Sequence, residues 1–176
     1  MTADLVRFRR AAAAVALTAS ATLSGCRLGG DTALPPFTNP ATATYAASTG
    51  VVIASMTRVN ESVYYQDVVA KDTGRVVAVG DSLRLYYKGS LSSGSVFGTV
   101  ARPDSAVNLV LDSTLIRGWV SGLPGMRTGG TRRLVIGPAS GYGYNARTDA
   151  SQTVIIIPSN SVLVFDVEVL RSVPKP

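Results

Sequence analysis

Histidine is missing from all 176 residues, and cysteine occurs once, at Cys26. The first absence removes the usual general base near neutral pH, the base of a hydrolytic triad and the commonest zinc ligand. The second excludes an internal disulfide and a paired-cysteine metal site. Charge is also sparse: 16% of residues are Asp, Glu, Lys or Arg, with 17 basic and 11 acidic giving a net +6. Setting residues 1–25 aside removes Arg7, Arg9, Arg10 and Asp4, which leaves 14 basic and 10 acidic residues. Of those basic residues only Arg132 and Arg133 are adjacent. Scattered positive charge does not make the basic face that grips nucleic acid, so no nucleic-acid partner is expected. No metal, nucleotide or other cofactor is expected either. Hydrophobic residues still make up 46% of the chain, enough for a packed core. Whatever chemistry occurs must manage without imidazole or thiol.

No apolar stretch near the N-terminus reaches the roughly 20 residues of a membrane-spanning helix. The uncharged run Ala11–Leu23 follows three arginines and precedes Ser24-Gly25. A basic start, a short apolar run and small residues describe a secretory leader, here residues 1–25. The string Leu23-Ser24-Gly25-Cys26 resembles a bacterial lipobox. That resemblance implies lipidation of Cys26, which would become the mature N-terminus, and a membrane partner through the lipid. Arg27 in place of Asp implies, by analogy with two-membrane bacteria, the periplasmic face of the outer membrane rather than the inner membrane. Residues 26–61 then read as lipidated cysteine and flexible tether. Residues 27–50 are rich in Gly, Pro, Ala and Thr without a hydrophobic period. The more apolar Val51–Met56 leaves helix and strand both open.

From residue 62 to 173 the pattern changes to short β runs separated by turns. Val63–Ala70, Ser82–Lys88, Val107–Leu111, Arg132–Ile136 and Ser161–Leu170 read as five strands. Lys71-Asp72-Thr73-Gly74 and Ser92-Ser93-Gly94-Ser95 read as turns. In the last strand Val162, Val164, Asp166 and Glu168 stand out of phase with Leu163, Phe165 and Val167. One segment carries helical spacing: Leu115, Ile116, Trp119, Val120 and Leu123, with Asp112 or Ser113 as cap and Pro124-Gly125 as stop. Five antiparallel strands and one short helix make an α+β domain whose helix lies across one face of a curved sheet.

Five strings recur in order: Tyr86-Tyr87-Lys88-Gly89, Gly94-Ser95-Val96-Phe97, Leu115-Ile116-Arg117-Gly118-Trp119, Gly137-Pro138 with Tyr142-Gly143, and Ile157-Pro158 with Val162–Glu168. In this order and spacing, residues 62–171 resemble the FKBP family of peptidyl-prolyl cis/trans isomerases. The resemblance implies a shallow apolar pocket between helix and sheet, with Trp119 as its floor. Tyr87, Phe97, Phe165, Val107 and Ile157 would be its walls, and Leu115 and Ile116 one rim. The Ile116 backbone N–H would bind a substrate carbonyl, and the Tyr142 hydroxyl would give a second hydrogen bond. The catalytic set so implied is Tyr87, Phe97, Ile116, Trp119, Tyr142 and Phe165, with Val107, Leu115 and Ile157 binding substrate. The expected partners are proline-containing segments of unfolded exported proteins, and the expected state is a monomer.

The chain departs from the family pattern in four places. Gly98 stands where an aspartate usually follows the pocket phenylalanine, and Pro103 takes the aligned place of its arginine partner. Val107 replaces a common aromatic, and the loop Tyr144–Ile155, longer than compact members need, would either overhang the pocket and alter substrate preference or be a tolerated surface insertion. Loss of both charged partners together strands no charge, yet it weakens the case for full activity and for macrolide binding. The alternatives to an active isomerase are a feebly active prolyl-peptide-binding chaperone module and a purely structural envelope lipoprotein on the same scaffold.

Overall fold

A computed structural model describes residues 34–103 and 105–174. The expected leader, Cys26 and the first part of the tether lie outside the described residues. From Pro35 onward the chain forms one compact unit.

The centre of the sheet is the antiparallel pairing of its two longest strands, β3 (Ser82–Leu91) and β9 (Leu163–Val173), which lie far apart in sequence. Their antiparallel register runs from Ser82↔Val173 to Leu91↔Leu163, with one irregularity between Arg84 and Leu85. Outward from β9 lie β6 (Thr131–Ile136), β2 (Val63–Val69) and β1 (Thr57–Asn60). The free edge of β3 is shared: β5 (Val107–Val110) pairs with its first half and β4 (Val96–Val100) with its second. A separate ribbon joins β7 (Arg147–Thr148) to β8 (Ile155–Ile157). The main sheet therefore has seven strands rather than the expected five. Gly98 breaks the β signature of β4, and β1 is a four-residue edge strand with every residue exposed, so neither carries the alternation that marks a half-buried strand.

The helix is shorter than its spacing predicts. α1 covers Arg117–Gly122, and its N-cap is Ile116 in an extended conformation with no side-chain cap. Asp112 closes a local turn instead: Oδ1 accepts from the Thr114 amide at 3.0 Å and the Thr114 hydroxyl at 2.6 Å. Such side-chain-to-backbone bonds compete with the first helical turn. Leu115 and Ile116 are thereby left in the approach to the helix, half-buried.

Two glycines set how closely α1 lies on the sheet. A Cβ on Gly118 would fall 2.5 Å from the Ile136 side chain, and one on Gly122 would fall 2.7 Å from Leu134. Under the helix the fully buried Leu83, Leu85, Leu134, Ile136, Leu163 and Val167 form the main core. Each such side chain contributes about 1.5–3 kcal/mol on burial.

The other face of the sheet is covered as well, which corrects the tether reading for residues 35–61. Tyr64, Val135, Val162 and Val164 are buried there beneath Ala43, Tyr45, Val51, Ile53 and Met56. Tyr45 donates its hydroxyl to the Pro40 carbonyl at 2.6 Å, and burial, with Tyr64 close by, pushes that hydroxyl's pKa upward. Short 3-10 turns at Ala47–Thr49 and Ile53–Ser55 shape this layer. They have no helical or strand period, so composition alone makes the segment look like a linker.

Adjacent arginines on β6 fasten the two faces, because successive strand residues point to opposite sides. Arg132, 3% exposed, pairs with Asp67 at 2.6 and 3.0 Å and donates to the Gly122 and Pro124 carbonyls at 2.9 and 3.0 Å. It holds the C-terminal end of α1. Arg133 pairs with Asp166 at 2.7 and 3.0 Å and reaches the Gly50 carbonyl at 2.7 Å, which holds the N-terminal layer.

Candidate active site

Four aromatic rings from four elements meet between α1 and the sheet. Trp119 of α1 is 6% exposed and stands edge-on to Phe165 of β9, with centroids 5.3 Å apart and planes 88° apart. Tyr87 of β3 meets Trp119 at 5.7 Å and 77° and Phe165 at 6.3 Å. Phe97 of β4 meets Phe165 at 5.5 Å and 81°. Each edge-to-face pair adds about 0.5–1.5 kcal/mol beyond area burial and fixes ring orientation. Gly89 sits among them; a Cβ there would lie 2.5 Å from Phe97 Cε2 and 2.9 Å from Phe165 Cε1.

These rings form the inner end of an open groove of about 910 Å³. All nine pocket residues expected from the sequence line it. Val107 comes from β5, and Ile157, buried, ends β8. Leu115 and Ile116 come from the turn before α1, and Tyr142 from the loop after β6.

At the rim of the groove two hydrogen-bond donors are unused among the described residues. The Ile116 amide lies outside the helical ladder and has no acceptor among the described residues, a consequence of the late helix start. The Tyr142 hydroxyl also makes no hydrogen bond with the described residues, while the Arg147 guanidinium lies 4.6 Å over its ring. On the floor, Trp119 Nε1 is buried with no hydrogen-bond partner among the described residues. Among the described residues no aspartate or glutamate lines the groove; its charged residues are Arg117 and Arg147.

At Gly98 a Cβ would lie 3.7 Å from both Tyr87 Cε2 and the Tyr87 hydroxyl, ordinary contact distance. The wall beside Tyr87 is therefore open, and that hydroxyl has no acceptor among the described residues. Arg102, next to Pro103, serves a different end: it pairs with Glu168 at 2.9 and 3.0 Å and covers the Tyr86 ring at 4.8 Å. Neither Arg102 nor Glu168 lines the groove.

The long loop is a knitted flap. Asp149 accepts from the Ser151 hydroxyl at 2.5 Å, the Thr153 amide at 3.0 Å and the Val154 amide at 3.1 Å. These bonds, the Ser151 hydroxyl foremost, hold its carboxyl below the usual range. Asn145, Arg147 and Ile156 from this flap line the groove. So does Phe37 from the N-terminal segment. The sequence places the loop with Asn145 and Arg147 over the pocket but assigns none of its residues a contact, and it does not point to Ile156 or Phe37. Nothing in Leu34-Pro35-Pro36-Phe37 gives a periodic signal, and an inserted loop has no pattern to align.

Comparison with known proteins bears on the same residues. The family described as FKBP-type peptidyl-prolyl cis-trans isomerase matches residues 74–170. FK506-binding protein 4 of Chaetomium thermophilum is 41% identical over 99 residues, covering 56% of this chain and 19% of its own length. A probable FKBP-type peptidyl-prolyl cis-trans isomerase of Haemophilus influenzae is 38% identical over 102 residues, covering 58% of this chain and 39% of its own. The chain thus spans less than half the length of either relative. Among solved structures, FkpA from Escherichia coli is similar with a TM-score of 0.54 at 36% identity, covering 65% of this chain and 49% of that one. AtFKBP13 is similar with a TM-score of 0.55 at 28% identity, covering 63% and 93%. An aromatic groove built at the expected positions and a family match over more than half the residues agree: this chain belongs to the FKBP-type peptidyl-prolyl cis-trans isomerase family.

Proposed function

We propose that this chain is a peptidyl-prolyl cis/trans isomerase that assists folding of exported proteins in the cell envelope, anchored by lipid on Cys26 at the periplasmic face of the outer membrane. The observation that carries the activity is the four-ring floor with two unspent donors at its rim. An X–Pro bond turns over a barrier of about 20 kcal/mol because its planar amide is resonance-stabilised. The twisted transition state loses that resonance and part of the amide's charge separation. An apolar aromatic pocket thus favours it over the polar planar ground state. The Ile116 amide and the Tyr142 hydroxyl hold the flanking backbone while the bond turns. No proton moves, so a groove without histidine or carboxylate is sufficient.

Gly98 supports a second reading, a prolyl-peptide-binding chaperone module with feeble catalysis, since the Tyr87 hydroxyl lacks the acceptor an aspartate would give it. Measuring both the cis-to-trans rate and the dissociation constant of one Leu-Pro-Phe peptide separates the two. Acceleration supports the isomerase; binding without acceleration supports the module. Metabolic labelling with a radioactive fatty acid tests the anchor: label should enter the chain and vanish in Cys26→Ser, and an unlabelled wild type would refute lipidation.

A further inference from the structure

We propose that Phe37 is a substrate-contacting residue: it forms the outer wall of the groove and receives an apolar side chain flanking the prolyl bond. The proposal rests on the isomerase reading of the groove and adds to it a specificity determinant from outside the family-matched residues 74–170.

Phe37 is held in place rather than loosely attached. Its ring stacks on Tyr144 with centroids 4.5 Å apart and planes 26° apart. It lies so close to the turn after Tyr142 that a Cβ on Gly143 would be 3.8 Å from its Cζ. The backbone on either side is tied to the same loop region. The Tyr144 hydroxyl donates to the Pro35 carbonyl, and Asn160 Nδ2 donates to the Pro36 carbonyl at 3.3 Å. The Thr38 amide donates to Asn160 Oδ1 at 2.9 Å. Asn160 is itself fixed, its amide bonded to the Gly143 carbonyl at 2.8 Å.

The ring still faces the groove and is 42% exposed. A large apolar surface left open on a preorganised strap is a poor choice for stability and a good one for binding, since little side-chain entropy remains to be lost. A phenyl ring offers no hydrogen-bonding group. It therefore discriminates by apolar contact, favouring leucyl or aromatic neighbours of proline over glycine or charged ones.

The test uses the full chain and two peptide series that differ only in the residues flanking proline, leucine in one and glycine in the other. Phe37→Ala should raise KM for the leucine series roughly three- to tenfold, the worth of one aromatic contact. It should leave kcat and the glycine series nearly unchanged. Phe37→Leu should restore most of the loss, and Tyr144→Phe, which loosens the strap but keeps the ring, should shift KM the same way by less. Equal losses in both series, no loss, or faster turnover would overturn the proposal, the last because the ring would be obstructing the groove. If the wild type accelerates neither series, the isomerase reading fails instead. Dissociation constants for the same peptides, read from the fluorescence of the sole tryptophan, Trp119, then decide on Phe37 by the same pattern.

Discussion

Gly89 and Phe97 occupy adjoining space so tightly that a methyl group on the glycine would lie 2.5 Å from the ring's Cε2. The glycine is required by its neighbour, since its backbone is ordinary extended strand. Gly89→Ala must therefore displace Phe97, Phe165 or both. We expect a stability loss of about 1–3 kcal/mol, the usual cost of overpacking, and a fall in kcat/KM of at least about tenfold because the pocket wall moves. Thermal melting with peptide kinetics on one preparation checks both. An alanine variant with unchanged kinetics would show that the Phe97 position does not matter.

Gly98 offers the opposite case, a glycine with space around it. A side chain there meets Tyr87 at 3.7 Å and needs no unusual backbone. Gly98→Asp should fold normally and give the Tyr87 hydroxyl an acceptor, a bond worth about 1 kcal/mol. The expected result is a kcat/KM raised several-fold. A lower value would mean that the new carboxylate is poorly solvated in the groove and that the open wall is the adapted state.

Arg132 joins the end of α1 to the sheet through Asp67 and two backbone carbonyls. Arg132→Met leaves those carbonyls and the carboxylate without their donor, at a cost of about 3 kcal/mol or less, Asp67 being partly exposed. Because α1 carries Trp119, catalysis should fall with stability. Arg133→Met, on the opposite face, should loosen the 43–56 layer and spare the groove. Hydrogen exchange at α1 and at residues 43–56 in the two variants would show whether the faces respond separately.

Much of this was legible in the sequence, and the failures have specific causes. The five expected strands follow from alternation, and the pocket residues from the family resemblance that ordered strings such as Leu115–Trp119 carry. The helix start was misplaced because Asp112 looks like a cap but bonds two residues on, to Thr114. The covered second face was foreshadowed by Val162 and Val164, apolar at positions that solvent would not favour. Recognising it needed the inference that something buries them, and the residues that do so have no period of their own. Phe37 was unreadable because its role comes from a three-dimensional meeting with Tyr144 and Gly143.

Two pH profiles should differ in shape. The chain has no histidine and no carboxylate lines the groove among the described residues, so kcat/KM should stay flat from about pH 5 to 8. Below neutrality, stability should fall as the medium turns acid. Asp81 is buried and its carboxyl is held below the ordinary value, first by the Ser172 hydroxyl at 2.5 Å, with the Ala78 amide and Arg75 also favouring the anion against the opposing effect of burial. A depressed native pKa gives stability that is present above the unfolded-state value near 4 and lost as pH falls through and below it. Denaturant midpoints between pH 6 and 2 should drop steeply for wild type and less for Asp81→Asn. A bell-shaped rate profile centred near neutrality would contradict catalysis without proton transfer.

The most direct measurement is the cis-to-trans rate of a Leu-Pro-Phe peptide with the wild type, Trp119→Ala and Tyr142→Phe, each verified as folded. The account predicts clear acceleration by the wild type, a loss of roughly a hundredfold or more without the indole floor, and a loss of about tenfold without the tyrosine hydroxyl, equivalent to one hydrogen bond near 1.4 kcal/mol. Acceleration that survives both substitutions in folded protein would place catalysis outside this groove and contradict it.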